Sequence, residues 1–353
     1  MIIKKILSLV ASIISLFILQ LLFLVNSNPE EKNSKYFSDD KGVLSLMYHR
    51  FNENKYPSTN IKMEIFVQQI NLIKNLGYEF YEPDLFLNEF NEPKDKKKVL
   101  ITIDDGFKSF YNHAWPYLKK NNIPFILFIS TEPVGKNGYM TWDEIKQIEK
   151  SKIGYIGHHS HTHEYLIDMT QAEFINDIET SSKIFKQNLG YVPSIFSYPF
   201  GEYSLYMKDY ISKNFKIAFG QHSGVIDINK DKFELPRFPI NEKYGELKRF
   251  KSLIKYNPLE YKLLRPSEKK LDKNNNPPQL IVEFFDNQKN IKNINCYSND
   301  GGIWKKSDLK FESSTMIIDF QEPFFPRRGR VNCSLNDNGK WRWFGTQFVV
   351  EKN

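Results

Sequence analysis

The chain has 353 residues and a formal net charge of +7 at pH 7, from 49 Lys and Arg against 42 Asp and Glu. That balance suits work beside anionic lipid or an acidic polymer, although a Lys- and Asn-rich composition accounts for it equally. No basic run is interleaved with aromatics, so a nucleic-acid-binding surface of that kind is excluded.

Lys4 and Lys5 precede Ile6 to Val25, a stretch without a charge. It is long enough to cross a bilayer as a helix, with the lysines on the cytoplasmic side. Residues 1–27 therefore read as a signal peptide or a membrane anchor. The length favours an anchor through residues 6–25, because signal h-regions are shorter. No cysteine follows the apolar run, which excludes a lipoprotein. Everything from about Asn28 onward is expected to be exported, to the periplasm or the outer face of the membrane, anchored or secreted. Residues 28–41 are polar and read as a tether.

From Gly42 the pattern becomes regular. Val43 to Tyr48 is a strand ending at His49. Lys62 to Leu76 places Phe66, Ile70, Ile73 and Leu76 at helical spacing, with Gly77 as its stop. Tyr78 to Tyr81 is a short strand. Val99 to Ile103 is an apolar run that meets two carboxylates, Asp104 and Asp105, then Gly106. A helix is expected over 108–121 and a strand over 125–129. Thr141–Glu144 and Thr170–Glu173 have the form of capping boxes. Between them, Ile153 to Gly157 is a strand that leads into four histidines. Further strands are expected at 195–198, 216–219 and 235–240. Strands alternating with helices in this way imply parallel βαβ units, and their number within residues 42–250 favours a barrel. In such a barrel the chemistry collects at the C-terminal ends of the strands. His49, the Asp pair, the histidine cluster and Pro199-Phe200-Gly201 each follow a strand and so converge on one rim.

Residues 251–278 are basic, Asn- and Pro-rich and read as a linker. Residues 279–353 show short alternating runs with hairpin-type turns at 298–302 and 336–339, the pattern of a small all-β domain. Trp341-Arg342-Trp343-Phe344 suits either the core of that domain or stacking on sugar rings, with core favoured. Cys296 and Cys333 are either one disulfide or two buried thiols.

Two carboxylates at the end of a buried strand need a cation or a proton to manage, since burying one unpaired is costly. Four of the seven histidines lie within His158-His159-Ser160-His161-Thr162-His163. His159 and His163, four apart, can face one ion, while His161 alternates with them and points elsewhere. With a strand-end Asp they make a His-His-Asp metal site, which leaves the second Asp as a base. His113, on a helix, reads as a surface residue.

These residues resemble carbohydrate esterase family 4, the polysaccharide deacetylases with a NodB homology domain. Thr102-Ile103-Asp104-Asp105-Gly106 is similar to the family's T-F-D-D-G motif, and His159 to His163 matches H-[S/T]-x-x-H. Ser197-Tyr198-Pro199-Phe200-Gly201 resembles R-x-P-[Y/F]-G. Leu46-Met47-Tyr48-His49-Arg50 is similar to the first strand of the poly-β-1,6-N-acetylglucosamine deacetylase branch. The resemblance covers about residues 43–245. It implies an α/β fold: a distorted (β/α) barrel of the NodB type, here with a C-terminal all-β, sandwich-like domain and an N-terminal hydrophobic helix.

The resemblance further implies that Asp105, His159 and His163 bind a divalent metal, most often zinc, and that Asp104 is the general base. The oxyanion falls to a backbone N–H such as that of Gly106, and a late histidine, here His222, is the general acid. His49, Tyr198, Pro199, Phe200, Gly201 and Arg237 are expected at the substrate, and His49 is a second candidate for the acid. The arginine that opens the third motif is Ser197 here, no Asp-x-x-Asp-Trp motif follows Gly201, and Arg237 is the candidate replacement guanidinium.

The expected activity is hydrolysis of N-acetyl groups from an N-acetylhexosamine polymer of the envelope, with a poly-β-1,6-N-acetylglucosamine-like exopolysaccharide as the best single substrate. The expected partners are that polysaccharide and, through residues 6–25, the membrane; no protein partner is readable. Two other classes remain: a catalytically silent carbohydrate-binding protein, suggested by the lost arginine, and a non-haem Fe(II) oxygenase, suggested by the ligand triad.

Overall fold

A computed structural model describes residues 37–325 and 327–350. The signal or anchor expected at 1–27 lies outside the described residues, as does most of the 28–41 tether. Among the described residues no helix is long and apolar enough to cross a membrane.

Strands β1 (Gly42–Tyr48) and β2 (Lys98–Ile103) pair in parallel, with Leu46 opposite Ile101 and Tyr48 opposite Ile103. Strands β3 (Phe125–Ile129), β4 (Gly154–His158), β5 (Ile195–Ser197) and β6 (Ile217–Phe219) continue the sheet in that spatial order. Strand β7 (Phe238–Pro239) pairs in parallel with β1, and Leu235 just before it bridges to Phe219 of β6. Residues 235–239 therefore reach from the last parallel strand back to the first and curl the sheet round. The result is a mixed α/β fold with a half-barrel sheet, consistent with the NodB type.

The strands are apolar on both faces because both faces are covered. Leu100, Ile126, Phe128, Ile195, Ile217 and Phe219 pack inside the curl. Leu46, Val99, Ile101, Ile103, Leu127 and Ile129 pack outside, under the helices. Helix α1 (Met63–Asn75) buries Phe66, Ile70 and Ile73 there, and Gly77 ends it at φ +70°. Helices α2 (Trp142–Lys150) and α3 (Gln171–Leu189) both open on the expected capping boxes, Thr141 with Glu144 and Thr170 with Glu173. The helix expected over 108–121 differs: its first turns, Phe110–Ala114, are a π-helix, and only Trp115–Lys120 is α. Pro116 lacks the N–H that an α-helix running through that point would use.

Residues 251–278 are not a linker. They complete a helix, Leu247–Leu253, and then supply strands β8 (Asn257–Pro258), β9 (Leu263–Arg265) and β10 (Lys270–Leu271). These join β11 (Gln279–Glu283), β12 (Asn295–Ser298), β13 (Lys305–Lys306), β14 (Lys310–Glu312), β15 (Thr315–Asp319), β16 (Arg328–Asp337) and β17 (Lys340–Val350). One sheet runs β8-β17-β16-β12-β13 with β10 beside β17, and the other runs β9-β11-β15-β14. The β16–β17 hairpin turns on Asn338 and Gly339, at φ +52° and +90°, as a two-residue turn with two positive φ angles requires. Cys296 and Cys333 face each other across β12 and β16 and form a disulfide.

These sheets belong to the same compact unit as the curled sheet, which runs from Ser38 onward. Lys97 donates to the Tyr256 carbonyl at 2.6 Å, and fully buried Arg342 joins Asp337 at 3.0 Å to Asp39 at 2.8 Å. The 341–344 run splits its roles. Arg342 and Phe344 are buried, Trp341 is exposed, and Trp343 stacks on Tyr256 with ring centroids 5.1 Å apart.

Candidate active site

Side chains alternate along a strand, so the inward face of β2 that carries Leu100 and Thr102 continues to Asp104 at its end. Asp104 is fully buried. Arg237 grips both of its oxygens, Nη1 to Oδ1 at 2.7 Å and Nη2 to Oδ2 at 2.9 Å. The same guanidinium donates to Thr102 Oγ1 at 3.1 Å, Ser197 Oγ at 2.8 Å and the Gly220 carbonyl at 2.9 Å. Ser197 thus stands where the resembling motif has an arginine, and Arg237, from the segment that curls the sheet, brings the guanidinium to it. Burial alone would raise the Asp104 carboxyl, but Arg237, His159 and His49 hold it below its ordinary value.

The chain turns sharply after Asp104. Asp105 and Gly106 both have positive φ, +73° and +70°, and a Cβ on Gly106 would lie 2.6 Å from Ile129 Cδ1. That turn carries the Asp105 carboxylate to the same rim, where burial raises its pKa but His163 and His159 bring it well below the ordinary value. Asp105 Oδ1 lies 3.0 Å from His163 Nε2 and 3.4 Å from His159 Nε2.

The histidine loop is held by contacts of its own. Asp177, on α3, accepts the N–H groups of His161 at 2.8 Å and Thr162 at 3.0 Å, and the Thr162 hydroxyl at 2.7 Å. The Ser160 hydroxyl accepts the His163 N–H at 3.1 Å. These bonds keep Ser160 and His163 at φ +70° and +56°, conformations that cost a non-glycine residue on the order of 1 kcal/mol or more. His161 turns away, its Nδ1 at 2.8 Å from Thr131 Oγ1. His158 is packed among Phe185, Phe196 and Phe215, and burial pushes it down to about 3. Two of the four clustered histidines therefore meet Asp105.

The donor atoms of Asp105, His159 and His163 lie within 4.8 Å of one another. His159 Nδ1 is 2.7 Å from the Ser197 carbonyl. A carbonyl only accepts, so Nδ1 carries the proton and Nε2 presents a lone pair towards Asp105. Two acceptors then face each other, and His159 Nε2 and Asp105 Oδ1 are both buried without a hydrogen bond. A cation among the three residues would satisfy both atoms, so the donor set fits a divalent metal.

Asp105, His163, His49, Phe200 and His222 line a cavity of about 840 Å³. Phe200, at φ +59°, sets its ring 4.8 Å from His163 and 4.2 Å from Tyr165. Four residues expected at the substrate are instead covered. Tyr198 and Arg237 are fully buried, and Pro199 and Gly201 are buried too. Tyr198 packs against Phe196 and Tyr203, Arg237 is used up on Asp104, and Gly201 lets the 220–223 loop approach, since its Cβ would lie 2.3 Å from the Gln221 nitrogen. Burial pushes His222 down to about 4, with Glu234, Lys269 and Arg237 as its charged neighbours. Burial also lowers His49, but Asp105 and Asp104 oppose that shift, which places His49 among the site carboxylates.

Some supporting residues are not apparent from the sequence motifs. Asp177 is signalled only as a carboxylate on the buried face of α3, beside Phe174, Ile178 and Ser181. Buried Glu202 receives Arg327 at 2.8 Å and Arg328 at 2.7 Å, and Arg327 stacks 3.5 Å over Tyr165. No local pattern links residues so far apart.

A family model described as polysaccharide deacetylase matches residues 91–216. YxkH of Bacillus subtilis (strain 168), a polysaccharide deacetylase by name, is 28% identical over 162 residues, 45% of this chain and 57% of that protein. The match thus spans just over half the length of that relative. The poly-β-1,6-N-acetyl-D-glucosamine N-deacetylase of Staphylococcus aureus (strain MSSA476) is 25% identical over 240 residues, 60% of this chain and 82% of that protein. The structure of IcaB from Ammonifex degensii superposes with a TM-score of 0.54 at 23% identity, covering 62% of this chain and 99% of that one. This last likeness shows the fold. The family match and the named relatives show a polysaccharide deacetylase domain, of the NodB type of carbohydrate esterase family 4, over residues 91–216.

Proposed function

We propose that this protein hydrolyses N-acetyl groups from an N-acetylhexosamine polymer outside the cytoplasm, releasing acetate and leaving free amines. The observation that carries this reading is a buried Asp104, clamped by Arg237 and 3.9 Å from His159, beside a separate Asp105–His159–His163 cluster whose Asp105 and His163 line a large cavity. Asp104 accepts a proton from the attacking water, and Arg237 fixes the direction of its oxygens. Asp105, His159 and His163 would hold a divalent metal, zinc in our reading, which when bound would supply Lewis-acid polarisation of the acetyl carbonyl. The Gly106 N–H is our candidate donor to the oxyanion, as the family resemblance implies.

We assign the proton to the leaving amine to His49 rather than His222. Burial lowers both histidines, but His49 stands in the field of the site carboxylates Asp104 and Asp105, whereas the charged neighbours of His222 are Glu234, Lys269 and Arg237. The named relatives make a β-1,6-linked N-acetylglucosamine backbone the first substrate to try. Export is supported by the apolar segment at residues 6–25 and by the Cys296–Cys333 disulfide, a bond typical of oxidising compartments. The silent-binding and iron-oxygenase readings gain no observation.

The test is acetate release from N-acetylhexosamine oligomers by the purified chain, with and without added Zn²⁺, beside Asp104→Asn. Metal-dependent release that disappears in the variant supports the reading. Metal bound at the cluster with no release from any oligomer overturns it.

A further inference from the structure

The far wall of the cavity comes from strands that the relatives' motifs do not reach. Along β16 the side chains alternate. Val331, Cys333 and Leu335 are fully buried in the core, and Arg328, Arg330 and Asn332 face the other way and line the cavity. Tyr297 of β12 sits opposite Asn332 and is 47% exposed, as is the nearby cavity residue Trp304. From the other side come Lys243, Tyr244 and Arg249, with the Arg249 guanidinium 5.0 Å from the Tyr244 ring.

The charge on this surface is one-sided. Among the described residues that line the cavity, Asp105 is the only carboxylate, against Lys243, Arg249, Arg328 and Arg330. Asp105 belongs to the metal cluster, and Arg328 is taken by Glu202. Arg249 donates to the Tyr244 carbonyl and Arg330 to Gln347 Oε1 at 3.3 Å, and neither forms an ion pair with a described residue. Burial lowers the pKa of both, and Arg328 lowers that of Arg330 further. Arg249 has no carboxylate among its charged neighbours, and the one carboxylate felt by Arg330, Glu202, is already paired with Arg327 and Arg328. The guanidinium fork is the side chain best matched to carboxylate and phosphate groups. The exposed aromatics beside them offer flat faces to a sugar chain.

We propose that β12, β16 and the 243–249 segment form an anion-reading wall, and that the polymer this enzyme takes carries acidic groups, carboxylate or phosphate, close to the N-acetylated sugar. This proposal rests on the deacetylase reading for the identity of the reacting group but not for the binding of the anion.

The experiment has a binding arm and a turnover arm. In the first, the full chain kept in EDTA is titrated, at low and high salt, with three N-acetylhexosamine oligomers of equal length. One is neutral, one contains uronic-acid residues and one contains phosphodiesters, with the tryptophan fluorescence as readout. At least one acidic oligomer is expected to bind about tenfold or more tightly than the neutral one at low salt. That ratio is expected to fall to near one in an Arg249→Gln/Arg330→Gln variant and to be partly kept in Arg330→Lys, which retains charge without the fork. The oligomer that shows the preference identifies the anion. Equal binding of all three, or a preference that survives the double variant, overturns the proposal. In the second arm, acetate release is measured with the metal-loaded chain. An acidic preference in binding with no release from any oligomer removes the deacetylase reading and leaves the wall standing. Release without any preference does the reverse.

Discussion

Arg237 binds both carboxylate oxygens of Asp104, at 2.7 and 2.9 Å, from a position 133 residues further along the chain. The pair is fully buried, and breaking such a pair from one side costs roughly 3–5 kcal/mol. Arg237→Gln is therefore expected to lower the urea midpoint and to alter the pH profile. The guanidinium favours the ionised carboxylate, so its loss raises the Asp104 pKa, and the acid limb of kcat/KM moves to higher pH. A limb that stays in place while activity drops would mean that Arg237 only supports the fold.

The metal cluster and the base separate by substitution. His159→Ala and Asp105→Ala are expected to lose bound metal, and with it acetate release. Asp104→Asn is expected to keep the metal while kcat falls by about 100-fold or more, the usual range for a general base. Metal content measured on the purified variants decides this. Full zinc in His159→Ala would remove His159 from the ligand set.

The two candidate acids make opposite forecasts. His49→Gln is expected to lower kcat by about 100-fold with a smaller change in KM, and His222→Gln by less than about tenfold. The reverse order would return the proton-donor role to His222.

His158 links stability to pH. Its folded pKa, about 3, lies below the ordinary 6.5, so the unfolded chain binds a proton that the folded chain does not. Stability is therefore highest above pH 6.5 and falls as the pH drops towards 3, by up to about 1.4 kcal/mol per pH unit from this residue. His158→Asn is expected to flatten that dependence between pH 6.5 and 4, read by urea unfolding. An unchanged slope would mean that carboxylates alone set it.

Reduction tests the C-terminal strands. The Cys296–Cys333 bond closes a loop with a sequence separation of 37. Chain entropy predicts about 4 kcal/mol for a loop of that size. Dithiothreitol is expected to lower the Tm of the wild type but not that of Cys296→Ala/Cys333→Ala. Equal shifts in both would assign the effect to another cause.

Much of the site is legible in the order of the residues. The apolar run from Val99 to Ile103 ending in two carboxylates marks a strand end with chemistry, and the spacing of His159 and His163 marks a shared ion. Local pattern does not reveal the partner of each group. Tyr198 reads like a substrate contact because it adjoins Pro199-Phe200-Gly201, yet the pleat turns it into the core. The 251–278 stretch reads as a linker because its strands are two or three residues long and gain their stability from β11 and β17.

The division follows the range of the forces. Alternation, capping boxes, turn glycines and clustered ligands act over a few residues, so the sequence alone determined the succession of strands and helices, the Asp-His-His cluster and the family resemblance. Pairings across more than a hundred residues depend on how the sheet curls and on which desolvated charge finds an opposite one. Only the tertiary structure decided that Arg237 stands in for the arginine missing at Ser197, that Glu202 joins Arg327 and Arg328, and that the C-terminal strands wall the cavity.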